Sequence, residues 1–184
     1  DTPIAVNDCK ATTSGEATGK TYNLMLILDT SGSIGGNLAT EVNAMKGLLD
    51  KYASIAEGGE AGVQVRIVSF ASSATLYGTA LESIADAKDH LDDILTAGAI
   101  GGTNYEDAIA KATTGLAGWQ EADGHENLVY FVSDGEPNYG YDIQAEEDAW
   151  EDALDNVGAT AWAVGIGAGP SDGDLQDVAY PDSN

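Results

Sequence analysis

Asp29, Ser31 and Ser33 stand two residues apart in the stretch "LMLILDTSGSIGG", residues 24–36. Alternate residues of a tightly turning loop can aim their oxygens at one centre, and Gly32, Gly35 and Gly36 let this loop turn. Two later loops carry similar chemistry. "GAIGGTNYED" places Thr103 and Asn104 at the start of a helix, and "SDGEPN" places Asp134 at the end of a strand. The candidate set is therefore two carboxylates and three hydroxyls, with no sulfur and no imidazole. Hard oxygen donors suit Mg²⁺, Mn²⁺ or Ca²⁺ rather than zinc or copper. Two aspartates balance a divalent charge, and hydroxyls add coordination without adding charge. Each loop alone is also an ordinary helix cap, and Thr103 with Glu106 fits a capping box. Three such loops in this order favour the metal.

The elements that must position these residues alternate. Four nearly continuous apolar runs, 22–29, 63–71, 127–134 and 160–166, read as parallel strands covered on both faces. A weaker run, 74–77, reads as a short antiparallel edge strand. Between them lie stripes of helical period: Leu38, Val42, Met45 and Leu49; Leu81, Ile84, Leu91 and Leu95; Tyr105, Ile109, Ala112 and Leu116; Trp150, Leu154 and Val157. The expectation is an α/β fold, with a doubly wound, mostly parallel central sheet and helices on both faces. Ligands of such sheets bind outside the carboxyl ends of the strands, where strand order reverses. If the first and third runs are neighbours there, Asp29 and Asp134 face one crevice. Residues 1–20 lack helical period and read as a linker, with a short extended piece at 4–6. Residues 21–184 read as one domain.

Charge limits the partners. Seven basic residues face 31 acidic ones in 184, a net −24. From Ala112 onward there are 16 acidic residues and no basic one. Such a field repels nucleic acid and anionic lipid headgroups and attracts cations. No stretch is long enough for membrane insertion as a helix. The single cysteine, Cys9, cannot form an intrachain disulfide and reads as an incidental thiol. The chain begins at Asp1 rather than Met, so it reads as a monomeric domain within a larger multidomain chain.

"LMLILDTSGSI", "GGTNYEDAI" and "LVYFVSDGEPN" together resemble the von Willebrand factor type A (VWA) domain with its metal-ion-dependent adhesion site. The family's Asp-x-Ser-x-Ser, later Thr and later Asp fall on Asp29, Ser31, Ser33, Thr103 and Asp134. The resemblance implies direct metal ligation by Ser31, Ser33 and Thr103, with Asp29 and Asp134 binding directly or through water. It implies a non-enzymatic adhesion module whose protein or glycan ligand completes the coordination through an acidic group. Family members usually end with a further strand and helix. Only "AGPSDGDLQDVAYPDSN" follows "WAVGIG" here, so the domain is expected to be truncated, or rearranged with the N-terminal segment filling the gap. "DTPIAVND" resembles the junctions between immunoglobulin-like repeats of large bacterial RTX-type adhesins. That implies an extracellular or bacterial cell-surface location.

Asn104, Tyr105, Tyr139 and Tyr141 flank these loops and are candidate ligand contacts. Additional Ca²⁺ is conceivable at "DGD", 172–174, and along the acidic segment 142–155. His90 and His125 lie away from Ser31 and Ser33, and no Gly-x-Ser-x-Gly elbow occurs, which argues against a hydrolase. A magnesium-dependent phosphotransferase or phosphatase using Asp29 is the enzyme alternative. Ser31 stands where that chemistry wants a second Asp, and no Lys follows Lys111. A structural spacer whose metal only stabilises the fold is the other alternative.

Overall fold

The structure is a computed structural model that describes residues 4–6, 20–139, 143–166 and 172–181. Its elements run β1 (Ile4–Val6), β2 (Thr21–Asp29), α1 (Leu38–Ile55), β3 (Val63–Phe70), β4 (Ala74–Leu76) and α2 (Ile84–Ala97). They continue with α3 (Tyr105–Leu116), β5 (His125–Ser133), α4 (Ile143–Asn156), β6 (Ala159–Gly165) and α5 (Asp172–Gln176). The strands form one sheet in the order β1-β6-β5-β2-β3-β4. The four inner strands are parallel. The order reverses at β2, with β3 on one side and β5 on the other, which is the crevice expected from the alternating pattern.

β2 is the middle of the molecule because its sequence is apolar on both faces. Leu24, Leu26 and Leu28 pack with α1 and α2, while Met25 and Ile27 pack with α3 and α4. All five are fully buried, each worth about 2 kcal/mol of transfer free energy. The register between β2 and β5 matters most for function. Asn23 Nδ2 donates to Asn127 Oδ1 at 2.8 Å, and Asn127 Nδ2 donates to the Gln120 and Val157 carbonyls. These two asparagines are paired across the strands, and the same ladder runs up to Leu28 opposite Val132. A slip of one residue would turn every side chain to the other face. The asparagine pair thus places Asp29 beside Ser133.

Both edges of the sheet are antiparallel. β4 returns along β3 as the 74–77 pattern implies, and Glu82 bridges Val65 lower on the same strand. At the far edge β1 pairs with residues 163–165 of β6, and Tyr180 bridges Ala161 below it. The extended piece at 4–6 is therefore a strand on the outer side of β6. Strand ends differ slightly from the apolar runs. β5 stops at Ser133, so Asp134 is the first residue of the loop rather than the last of the strand. The Ser133 hydroxyl accepts from the Gly135 N–H at 3.3 Å, which turns the chain there.

Trp119 and Trp150 are core residues, and Trp162 stacks on Tyr130 with ring centroids 5.1 Å apart. His90 is not a solvated side chain, as its place in an exposed helix would imply. Its Nε2 lies 2.9 Å from Glu82 Oε2 and its ring lies against Tyr77. No helix among the described residues is long and apolar enough to cross a membrane.

Candidate metal centre

The loops at the carboxyl edge of the sheet are laced by backbone hydrogen bonds. Thr30 N–H donates to Phe70 O at 2.6 Å, and Ile100 N–H donates to Thr30 O at 2.9 Å. Gly32 N–H donates to Gly101 O at 3.0 Å, and Asn138 and Tyr139 both donate to Thr103 O. Glycine is required at Gly102, where a Cβ would lie 2.5 Å from the Tyr139 ring and 2.6 Å from Asn138 Oδ1.

This lacing brings together all five residues that the sequence pattern marks as metal ligands. Asp29 is fully buried at the end of β2. Its Oδ1 accepts from the Ser31 N–H at 2.7 Å, and its Oδ2 accepts from the Ser133 hydroxyl. Ser31 Oγ lies 2.9 Å from Ser33 Oγ, which donates to Asp134 Oδ1 at 2.8 Å. Thr103 is buried beside them, and its hydroxyl has no hydrogen-bond partner among the described residues. A Cβ on Gly135 would lie 3.2 Å from Ser33 Oγ and 3.5 Å from Thr103 Oγ1, so the glycine leaves room between the loops.

Acidic groups crowd this edge, and burial disfavours their charged forms. Burial pushes the Asp29 carboxyl above its usual range, and the bonds from Ser133 and Ser31 pull it back only in part. Glu41, on α1 beneath the loops, is 2% exposed, and neither carboxylate oxygen has a hydrogen-bond partner. Burial first, then the charges of Asp29 and Asp134, push Glu41 up to about 9. No basic side chain offsets these three acids in any ion pair among the described residues. The donor set fits a divalent ion. In an octahedron with metal–oxygen bonds of 2.0–2.1 Å, neighbouring oxygens are about 2.9 Å apart. The Ser31, Ser33 and Asp134 oxygens, held 2.9 and 2.8 Å apart by hydrogen bonds, are close enough together to share one such ion.

Other assignments change. The cap of α3 is Asn104, not Thr103 with Glu106. Asn104 Oδ1 accepts from the Asp107 N–H at 3.1 Å, and its Nδ2 donates to the Ser72 carbonyl at 3.2 Å. The cap spends Asn104 on structure and leaves the Thr103 hydroxyl free for the site. Tyr105 is 1% exposed, its ring packed on Phe70 and Phe131, and its hydroxyl donates to Gly135 O at 3.0 Å. It holds the Asp134 loop and offers no surface to a ligand. Tyr139 is 53% exposed beside Gly102. Tyr141 lies outside the described residues, as do Asp142 and the side chain of Asp172. Among the described residues no group of three or more His, Cys, Asp or Glu is placed to hold a metal, α4 included.

Ser133 and Glu41 were not singled out by the motif pattern. Glu41 had a signal: it lies three residues after Leu38 and four before Met45, on the buried stripe of α1. Asn104→Ala is expected to destabilise the fold by about 1–2 kcal/mol through loss of the cap and the Ser72 contact. Thermal melting should drop by roughly 2–8 °C.

A family model for the von Willebrand factor type A domain matches residues 23–184. No curated protein sequence matches the chain. Among solved structures, proximal thread matrix protein 1 from the mussel byssus overlays with a TM-score of 0.68 and 23% identity, covering 96% of this chain and 42% of that one. A form of the same mussel protein with a zinc-occupied MIDAS motif has a TM-score of 0.67 and 24% identity, covering 96% and 41%. The pilus adhesin SpaC from Lactobacillus rhamnosus GG overlays at 0.53 and 18%, covering 65% and 15%. The chain thus spans about two fifths of the mussel protein's length. These identities show a common α/β fold, and the family match spans nearly the whole chain. The chain belongs to the von Willebrand factor type A domain family.

Proposed function

We propose that this domain is a divalent-cation-dependent ligand-binding module of a secreted or cell-surface protein. Ser31, Ser33, Thr103, Asp29 and Asp134 form its metal centre, the two aspartates binding directly or through water. The observation that carries the reading is the chain of oxygens from Ser31 through Ser33 to Asp134, joined across two loops, with the Thr103 hydroxyl of a third loop buried beside it. A bound cation would supply a Lewis-acid position that an acidic group of a protein or glycan partner completes. Tyr139 is the exposed aromatic side chain beside that position.

The adhesive setting is supported by the mussel thread protein and the pilus adhesin, both of which share the fold. The phosphotransferase reading needs Asp29 as an attacking group. Its burial, with Oδ1 and Oδ2 both held by donors, argues against that.

Manganese tests the reading. Water-proton relaxation should report one tight Mn²⁺ per chain with an exchangeable water, and an acidic peptide should displace that water. Absence of binding by Mn²⁺, Mg²⁺ and Ca²⁺ at millimolar levels would remove the metal centre. Turnover of p-nitrophenyl phosphate with Mg²⁺ would move the domain to the phosphotransferases. Bound Mn²⁺ that no acidic peptide perturbs would leave only a structural spacer.

A further inference from the structure

Arg66 is the chain's single arginine, and it stands inside an apolar strand, "VQVRIVSF". It is 6% exposed. A buried guanidinium is costly unless its N–H groups are used. Two of them are: Nη1 donates to the Tyr77 carbonyl at 2.9 Å and the Ala80 carbonyl at 2.8 Å. The N–H groups of Nε and Nη2 have no partner among the described residues, and no carboxylate among them lies in ion-pair range. Glu82 is the acid whose charge acts on Arg66, and its carboxylate is engaged by His90.

Arg66 lines a cavity of about 560 Å³ under the C-terminal end of α3. Gln64, Thr79 and Thr114 bring an amide and two hydroxyls to its wall, and Leu81 and Trp119 bring an apolar side. Thr114 Oγ1 donates to Ala110 O at 3.1 Å and keeps its lone pairs for another donor. Gln64 and Thr79 are exposed. The cavity is not part of the metal edge. Arg66 lies four residues before Phe70, where β3 ends, or about 13 Å down the strand.

We propose that this cavity is a second binding site, for a sugar acid of the uronate class. The free fork of Arg66 matches the two oxygens of a carboxylate, which Lys would meet only as a point charge. The amide and hydroxyls match ring hydroxyls, and Leu81 and Trp119 cover an apolar ring face. The cavity's size lies within the range of small-ligand sites. In a chain of net −24, a largely buried arginine whose Nε and Nη2 are open to the cavity, beside hydroxyls, suits an anion.

Titration calorimetry on the whole chain, with glucuronate, glucose and acetate as probes, tests this. Glucuronate should bind at least tenfold more tightly than glucose or acetate, with EDTA present or absent. Arg66→Lys should weaken it tenfold or more. Thr114→Val, at an exposed position where folding is not at risk, should weaken it about threefold or more. Binding lost to EDTA would put the carboxylate on the metal edge and overturn the proposal. Acetate as tight as glucuronate, no binding of glucuronate, or Thr114→Val without effect would overturn it as well.

Discussion

Asp29→Ala should lose divalent-cation binding by more than about 100-fold while keeping the fold. Changing a residue that only supports a metal ligand costs 10–100-fold, and Asp29 is one of two carboxylates in the proposed set. Two opposing effects govern the metal-free stability. The Ser31 N–H and the Ser133 hydroxyl lose their acceptor, at about 1–3 kcal/mol. Against this, a carboxylate that burial holds above its usual range is removed. The expected net change is within roughly 2 kcal/mol. In the wild type, Mg²⁺ at 100 times its dissociation constant should add about 2.7 kcal/mol, which raises melting by roughly 5–10 °C. The variant should show no such rise. Calorimetry that returns the wild-type affinity for Asp29→Ala would sink the site.

Glu41→Gln should make the metal-free protein more stable, by about 3–4 kcal/mol at pH 7. The sign follows from proton binding. Unfolded, Glu41 ionises near its ordinary 4.5, and folded it holds its proton up to about 9. Between those values the folded state binds the extra proton, so stability falls as pH rises. From 4.5 to 7 the interval is 2.5 units, which at about 1.4 kcal/mol per unit gives the figure above. Asp29 is also raised and adds to the same trend. Comparing variant with wild type cancels the repulsion of the remaining acids. Urea melts in EDTA at pH 5 and pH 7 should therefore show a gap that widens with pH. A gap that is flat or narrows would mean that Glu41 is ionised in the folded state.

The clustering of the proposed metal set was legible because its residues are close in sequence within each loop, two loops ending an apolar strand and the third opening a helix. The spacing of Asp29, Ser31 and Ser33 is local, and so is the step from strand to Asp134. Which side chain caps α3 was not legible. Thr103 and Asn104 are adjacent, and both can cap. The choice was made by Ser72, some 30 residues earlier, whose carbonyl takes the Asn104 amide. Ser133 follows the same logic, since its role depends on a register fixed by Asn23 and Asn127. Glu41 and Arg66 were missed for another reason. A charged residue on an apolar stripe looks like an interruption of the pattern, and only burial shows that the chain has carried the charge inside.

The two sheet edges have a consequence for copies of this protein crowded together. Each outer parallel strand is covered by two short pieces: β4 and the Glu82 bridge on β3, β1 and the Tyr180 bridge on β6. An open strand edge is a template on which another chain can add, and that is how sheets grow into aggregates. Here a neighbouring molecule meets a three-residue strand or a single bridged residue at each position, never a long open ladder. High local concentration therefore does not by itself turn the sheet into a fibre seed.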